Sequence, residues 1–455
     1  MKEKEELLVK YHHRLKRLDT MRLTGSLSRS TSLLMESLGP EVPVGELCKL
    51  TTKTYNKSVL AEVVGFKDKR TLLMPIGDTN GISPKSEVIA TGQPLNIKLG
   101  TSLTGRILDG LGNPMDNKGP FHYDEIRPVY SQPPAPLERR LITEYISTGV
   151  RAIDGLLTCG KGQRLGIFAG SGVGKSTLLG KIARSSMADV NVIALIGERG
   201  REVREFIEHN LGEEGLKKSV VVVVTSDKPV IVRLKGGFVA TTIAEFFRDL
   251  GMDVMLLVDS ITRFANAQRE IGLAIGEPPT TRGYTPSVFS LLPKLLERPG
   301  PTSKGSITAM YTVLVEGDDF NEPVSDTVRA ILDGHIVLSR KIAAQNHYPA
   351  IDVLNSVSRC MIDIVSSEHT KTAQRLKTTY AIYKDAEDMI NVGAYAEGKN
   401  RKIDYAIKMI DKITEYLQQD IHEQSNFKED IDRLKDLMTD IDEEGVRKKA
   451  AAMRS

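Results

Sequence analysis

Apolar residues recur at helical spacing near both ends of the chain. Near the start, the apolar stripe consists of Leu7, Leu8, Tyr11, Leu15 and Leu18. Near the other end, it consists of Phe427, Ile431, Leu434, Met438 and Ile441. Both stripes predict amphipathic helices. The apolar face of the first helix needs a surface to cover it, which is either its own chain or another protein.

Between these ends the apolar pattern is that of strands. From about residue 21 to 93, short β-rich runs at 58–66, 71–76 and 87–91 are separated by turn residues, which predicts a small antiparallel β-barrel. From about 163 to 348, apolar strands alternate with helix-length segments, which is typical of a parallel sheet covered on both faces. Beyond about residue 370 the chain is almost wholly helical. The fold class is therefore α/β, with a barrel before the sheet and helices after it.

Composition restricts the function without changing that layout. Of 455 residues, 40% are hydrophobic and 27% charged, and no apolar run approaches the roughly 20 residues of a membrane span. We therefore expect a cytoplasmic protein that is peripheral to a membrane at most. Cys48, Cys159 and Cys360 are too few and too scattered for a disulfide framework or a zinc site. A net charge of +3 with 5% aromatics argues against a dedicated nucleic-acid surface.

The strongest chemical feature is a glycine-rich turn between an apolar strand and a helix that begins at about Lys175. Backbone N–H groups of such a turn, together with the positive end of the helix, bind phosphate oxygens. Lys175 is expected to reach the β and γ phosphates of ATP, and Ser176 to hold Mg²⁺. Ala169 stands where the strict pattern has its first glycine. The predicted binding residues are Ala169, Gly170, Ser171, Gly172, Val173, Gly174, Lys175, Ser176 and Thr177.

Carboxylates follow two other apolar strands. Asp259 could orient Mg²⁺, or it could only cap the helix that follows. Glu198 could orient or deprotonate the attacking water, although its spacing alone leaves this role open. Glu202, in the next turn, is a weaker candidate for the water shell of the metal. Arg263 could reach phosphate oxygens, with an ordinary salt bridge as the alternative.

These residues resemble those of the RecA-type P-loop ATPases related to the catalytic subunits of rotary ATP synthases. Within that group, the chain resembles the flagellar and type III secretion export ATPases over nearly its whole length. The family pattern allows Ala at position 169. Besides the glycine turn, the segments that carry the resemblance are GRILDGLGNPMD (105–116), GERGREV (197–203) and the stretches at 270–300, 313–340 and 348–359. The implied domains are a docking helix, a barrel, a RecA-type ATPase domain and a helical domain at 1–20, 21–93, 94–370 and 371–455.

The resemblance also implies roles for individual side chains. It makes Glu198 the water-activating carboxylate and keeps the roles given above for the lysine, the serine and the aspartate. It implies that Arg263 and Arg199 assist near the γ-phosphate and that Tyr348 lies against adenine. Arg359 would be the arginine finger inserted into the site of the neighbouring subunit. The residues alone favour a structural ion pair for Arg359.

The implied assembly is a homohexameric ring whose C-terminal helices surround a central stalk protein. The N-terminal helix would hold a stator-like regulatory protein. An export gate, chaperones and export substrates are further implied partners, at the inner face of the membrane export apparatus. Rotary synthase subunits carry an acidic loop where this chain has NVGAYAEGKNRKID at 391–404. That difference favours the export branch, and residues 42–50 and 71–82 look more flagellar than injectisome-like.

Two alternative functions remain at this point. An RNA-dependent hexameric helicase shares the core but would need single-strand-binding aromatics in the barrel, where only Tyr55 and Phe66 occur. A nucleotide-binding subunit of a rotary synthase or vacuolar-type complex is the other. If that subunit were non-catalytic, it would be expected to lack the carboxylate at Glu198.

Overall fold

The computed structural model describes residues 22–438, apart from 32, 53–56, 316 and 318. The predicted helix at 1–20 and Ile441 lie outside the described residues. The described chain forms two compact units. The first contains the residues up to 96 with 229–231 and 271–277, and the second contains the rest.

Six antiparallel strands close into a barrel in the first unit, in the order β1-β2-β5-β4-β3-β6. Their bounds are β1 Thr24–Ser30, β2 Met35–Leu38, β3 Glu46–Thr52, β4 Lys57–Lys67, β5 Arg70–Pro75 and β6 Glu87–Pro94. The strands alternate because every second side chain points inward. Cys48, Leu50, Ala61 and Val63 fill the interior with almost no exposure. The predicted barrel is confirmed.

The second unit is built on a nine-stranded sheet, in the order β17-β16-β10-β15-β13-β11-β12-β8 with β14 paired to β15. β14 and β17 pair antiparallel, and the other pairings are parallel. The strands are β8 Ile107–Asp109, β10 Arg164–Ala169, β11 Val190–Glu198, β12 Ser219–Thr225, β13 Asp253–Asp259, β14 Gly300–Pro301, β15 Ser306–Leu314, β16 Gly334–Leu338 and β17 Val357–Ser358. A separate two-stranded sheet consists of β7 Asn96–Leu99 and β9 Glu125–Pro128.

Helices connect most of these strands. In chain order they are α1 Arg151–Leu156, α2 Lys175–Ser185, α3 Gly200–Glu205, α4 Gly212–Lys217, α5 Val230–Asp249, α6 Ile261–Ile275, α7 Pro286–Leu296, α8 Pro323–Ile331, α9 Arg340–Ala344 and α10 Met361–Ile364. The central strands are buried on both faces, which explains their unbroken apolar runs. The predicted α/β core is confirmed. Among the described residues, no helix is both long and apolar enough to span a membrane.

The end of the described chain is helical, as predicted. Helices α11 Ser367–Asn391 and α12 Arg401–Leu417 pack against each other and against α1, and a further helix occupies 427–438. The 25 residues of α11 begin where the Ser366 hydroxyl accepts a hydrogen bond from the His369 N–H. Residues 418–423 leave α12 and return to the sheet domain.

The order of the strands places the site. Because the strands are parallel, their carboxyl ends meet at one edge of the sheet. Ala169 ends β10 in register with Leu314 of β15 and Leu338 of β16. Asp259 ends β13 opposite Leu195, so that Glu198 lies three residues further along β11. The glycine turn and both predicted carboxylates therefore leave the sheet at the same edge.

Candidate functional site

The glycine turn joins β10 to α2 with two residues in the left-handed region. Gly172 has φ of 79° and Gly174 has φ of 87°, conformations that a side chain makes costly. Gly174 is the residue before α2, and Lys175 is the first helical residue. The helix therefore begins where the sequence predicts it. Its free N–H groups face the same edge of the sheet as the strand ends.

Lys175 is held between two carboxylates. Its Nζ donates a hydrogen bond to Asp259 Oδ1 and lies 3.8 Å from Glu198 Oε1. The same Asp259 oxygen accepts a hydrogen bond of 2.8 Å from Thr312 on β15. All three charged side chains are largely buried: the exposed fractions are 12% for Lys175, 4% for Asp259 and 12% for Glu198. The structure thus brings the predicted lysine and both predicted carboxylates together.

The environment of Glu198 favours its protonated form. Burial, with the negative charge of Asp259, raises the pKa of Glu198 to about 7, although Lys175 opposes the shift. A hydrogen bond shared with Glu198 lowers the pKa of Glu202. Glu198 Oε1 is buried and has no hydrogen-bond partner among the described residues. A carboxyl group with a pKa near neutrality and a free buried oxygen is suited to exchanging a proton with a bound molecule.

Both predicted arginines line this cavity, whose volume is about 550 Å³. Arg263 on α6 lies against Gly197, and its Nε is buried without a hydrogen-bond partner in the described part of the chain. Arg199 is 79% exposed at the rim, where it pairs with Glu202 at 3.6 Å. The cavity lining also includes the predicted turn residues Ala169, Gly170, Ser171, Gly172, Gly174, Lys175, Ser176 and Thr177.

A second cavity, of about 450 Å³, also adjoins the glycine turn. Tyr348 lines it and is 43% exposed, with its ring near Gly174: a Cβ at that glycine would lie 3.5 Å from the ring. Val173, the remaining predicted turn residue, lines the same cavity. An exposed aromatic ring beside a phosphate-type turn is suited to stacking on a flat base.

Residues 419–421 form one wall of this second cavity and were missed by sequence reasoning. The Gln419 N–H donates to the Tyr348 carbonyl at 2.9 Å. Its side chain accepts from the Arg151 N–H at 2.9 Å and donates to the Gly149 carbonyl at 3.2 Å. Lys181, on α2, donates to the carbonyls of Asp420 and Glu423. The C-terminal region is thereby tied to the helix that follows the glycine turn.

Arg359 lies apart from these residues. It follows β17, the strand at the edge of the sheet, and β16 separates that strand from β10. Its backbone N–H donates to the Asp333 carbonyl at 3.0 Å, and the residue is exposed. Among the described residues, its guanidinium makes no hydrogen bond or ion pair. The structural ion pair favoured by the residues alone is therefore absent from the described part of the chain.

The donors around Ser176 fit a metal that is held partly by phosphates. No group of three His, Cys, Asp or Glu residues converges anywhere in the described chain, so a cage made only of protein ligands is absent there. Mg²⁺ characteristically takes one or two protein oxygens and completes its shell with phosphates and water. A serine hydroxyl beside Lys175, with carboxylates at Asp259 and Glu202, is such a donor set.

Comparison with known proteins decides the family. Residues 149–358 match the nucleotide-binding domain of the ATP synthase alpha/beta family, and residues 31–92 match its beta-barrel domain. Residues 365–436 match the C-terminal domain of the T3SS EscN ATPase. The flagellum-specific ATP synthase of Bacillus subtilis (strain 168) is 52% identical over 422 residues, which are 92% of this chain and 96% of that protein. The chain belongs to the flagellar and type III secretion ATPase family.

Relatives from both branches of this ATPase family match the chain at similar identity. The type 3 secretion system ATPase of Xanthomonas euvesicatoria is 50% identical over 416 residues, 91% of this chain and 94% of that one. The assembled EscN ATPase of enteropathogenic E. coli, solved with its central stalk EscO, has a TM-score of 0.85 and 45% identity. That match covers 91% of this chain and all of EscN. The predicted family, fold and ATPase activity are confirmed.

Proposed function

We propose that this ATPase hydrolyses Mg-ATP with Glu198 as the group that orients and deprotonates the attacking water, and so energises protein export. This proposal rests mainly on Glu198, which is buried. Its pKa is raised to about 7, and its Oε1 lies 3.8 Å from Lys175 Nζ. Lys175 would bind the β and γ phosphates together with the backbone N–H groups of the turn. Glu198 Oε1 would accept the proton of the water, and Arg263 and Arg199 would contact the γ-phosphate.

Mg²⁺ would be held by the Ser176 hydroxyl and, directly or through water, by Asp259 and Glu202. When bound, it neutralises charge on the β and γ phosphate oxygens. Lys175 and Thr312 keep the Asp259 carboxylate in place from two directions. Adenine would lie against Tyr348 in the second cavity, whose lining also includes residues 419–421.

We further propose that the site is completed by the next subunit of a homohexameric ring. Arg359 is exposed beside an edge strand, without an ion-pair partner in the described chain, as a residue acting on a neighbour must be. The likeness to assembled EscN supports a ring, and its central stalk EscO supports a stalk partner for the C-terminal helices. A stator-like protein at residues 1–20, an export gate, chaperones and substrates at the inner membrane face are further proposed partners. The flagellar system is our proposed setting.

Replacing Lys175 tests the proposed site. Lys175→Ala should abolish ATP hydrolysis, because it removes the cation that contacts the phosphates, while circular dichroism shows that the protein still folds. The matched control is Lys217→Ala, since Lys217 is an exposed lysine paired only with Glu214 among the described residues. Turnover measured by phosphate release should be normal in the control. Normal turnover in Lys175→Ala would refute the proposed function.

Replacing Arg359 tests the contribution of the neighbouring subunit. Arg359→Ala should leave the binding of a fluorescent ATP analogue unchanged but remove the rise in specific activity that accompanies increasing protein concentration. A finger supplied by a neighbour is typically worth about 10³ to 10⁵ in rate. Full activity of Arg359→Ala in assembled rings would exclude this role.

A further inference from the structure

Gly170, the first glycine of the turn, is packed under the side chain of Arg340. A Cβ placed on Gly170 would lie 2.5 Å from Arg340 Nε, 2.7 Å from Nη2 and 3.0 Å from Cζ. The first two distances are far shorter than a van der Waals contact between such atoms, and the third is also a tight contact. The guanidinium of Arg340 therefore occupies the space that any larger residue at 170 would need.

The sheet explains why these two residues meet. β16 runs parallel to β10, with Leu338 opposite Ala169, so the chain leaves both strands at the same level. The glycine turn follows β10, while α9 follows β16, and Ser339 caps α9 by accepting a hydrogen bond from the Ile342 N–H. Arg340 is the first residue of that helix, which directs its side chain from the neighbouring strand end toward the turn.

Glycine is favoured at the three positions of the turn for different physical reasons. Gly172 and Gly174 adopt positive φ angles, and a Cβ at Gly172 would meet nothing within 4 Å. Gly170 has no positive φ, so its backbone conformation is open to any residue. The three atoms nearest to a Cβ at Gly170 all belong to Arg340, so the packing of this arginine, and not the backbone conformation, favours glycine at 170. The arginine and this glycine thus form one structural unit.

We infer that Arg340 is a positioning residue for ATP hydrolysis. Its planar guanidinium packs on the first residue of the turn and so holds the path of the backbone whose N–H groups bind phosphate. It lines the same cavity as Lys175 and Arg263 and adds positive charge there. The inference rests on the proposed function, because it takes this cavity as the phosphate site.

A double-mutant cycle tests the coupling between the two residues. Gly170→Ala displaces only the end of a flexible side chain, so the protein should fold and melt normally, but the arginine is forced off the turn. Arg340→Ala removes it directly. Each single change should lower kcat about tenfold, with KM for ATP within about threefold of wild type, and the double variant should be no worse than either. If the two residues acted independently, the losses of the single variants would multiply in the double variant. That result would overturn the inference.

Gly172→Ala is the matched control. Its loss comes from backbone strain, so it should multiply with that of Arg340→Ala rather than merge with it. Arg340→Lys, which keeps the charge without the planar group, should recover only part of kcat. If Arg340→Ala retained wild-type kcat, the inference would fail even if Gly170→Ala proved unable to fold.

The two proposals fail in different ways. If Lys175→Ala is inactive and the losses from Gly170→Ala and Arg340→Ala multiply, the role of Arg340 is wrong and the proposed site stands. If Lys175→Ala hydrolyses ATP normally, the proposed site is wrong whatever the cycle gives.

Discussion

Many charged side chains line the cavity around Lys175 together with the glycine turn, whereas the cavity under Tyr348 is lined mainly by apolar groups and backbone. Most of the first set comes from the strand ends and the segments that directly follow them. The second set combines the glycine turn with residues 348–350 and 419–421, which arrive from distant parts of the chain. The two cavities share only the turn.

This difference assigns separate tasks to the two regions. A charged, buried cluster can stabilise developing charge, because electrostatic interactions strengthen as water is excluded. An apolar wall with an aromatic ring can bind a base without influencing the reaction. We therefore expect changes around Lys175 to act on kcat and changes around Tyr348 to act on nucleotide affinity.

Among the changes that compare the two cavities, Glu198→Gln should have the largest effect, because it keeps the shape of the side chain but removes its basicity. We expect kcat to fall by about 10²- to 10⁴-fold, with the affinity for a fluorescent ATP analogue nearly unchanged. Glu208→Gln is the control, because Glu208 is half-exposed and pairs with Arg204. A comparable loss of affinity in Glu198→Gln would break the division between the two cavities.

Tyr348→Ala should show the opposite pattern. Loss of stacking on the base should weaken ATP and ADP binding by about tenfold, while kcat at saturating ATP stays near the wild-type value. Binding of tripolyphosphate, which has no base, should not change. Tyr123→Ala, at another exposed tyrosine, serves as the control, and a kcat defect in Tyr348→Ala would argue against a pure binding role.

A smaller effect should follow from Lys181→Met. Burial, with the nearby charge of Arg184, lowers the pKa of Lys181 to about 8, and its ammonium group holds two carbonyls of the 418–423 segment. Without that cation, the 418–423 segment that lines the cavity under Tyr348 should become more mobile. We expect adenine nucleotides to bind about threefold more weakly and tripolyphosphate to bind as before. Equal weakening of both ligands would place Lys181 on the phosphate side instead.

The smallest effect concerns stability, and its sign follows from the pKa of Glu198. Folding raises this pKa from an ordinary value of 4.5 to about 7. The protonated carboxyl group of Glu198 therefore contributes to the free energy of unfolding. This contribution is complete below about pH 4.5 and is lost as the pH rises through 7. Glu198→Gln cannot ionise, so it should melt a few degrees above the wild type at pH 8.5. The difference should shrink toward pH 5, and a larger difference at the lower pH would contradict this account.

The cavity around Lys175 was predictable from the sequence because its residues lie in one contiguous motif or at the ends of neighbouring strands. A strand, a glycine turn and a helix are contiguous, and parallel strands bring their ends together without any knowledge of side-chain packing. Lys175, Glu198 and Asp259 could therefore be expected at one edge of the sheet. Thr312 could not, because a single threonine within an apolar strand gives no indication of its partner.

The cavity under Tyr348 was only partly predictable from the sequence. Tyr348 was found through family resemblance, whereas residues 419–421 follow a helix with no motif of their own. Arg340 was missed for a related reason: an arginine directly after a strand is common, and only three-dimensional distances connect it with Gly170. The helix predicted at 1–20 lies outside the described residues, so its docking role stays a prediction.

The return of the chain at 418–423 determines where this protein can be recombined with its relatives. A chimaera joined directly after α10 would exchange the C-terminal helices together with one wall of the nucleotide cavity. It would keep every residue of the glycine turn but replace the 418–423 segment, in which Gln419 accepts a hydrogen bond from the Arg151 N–H and the Asp420 carbonyl accepts one from Lys181. The C-terminal helices and these two anchoring residues must therefore be inherited as a set.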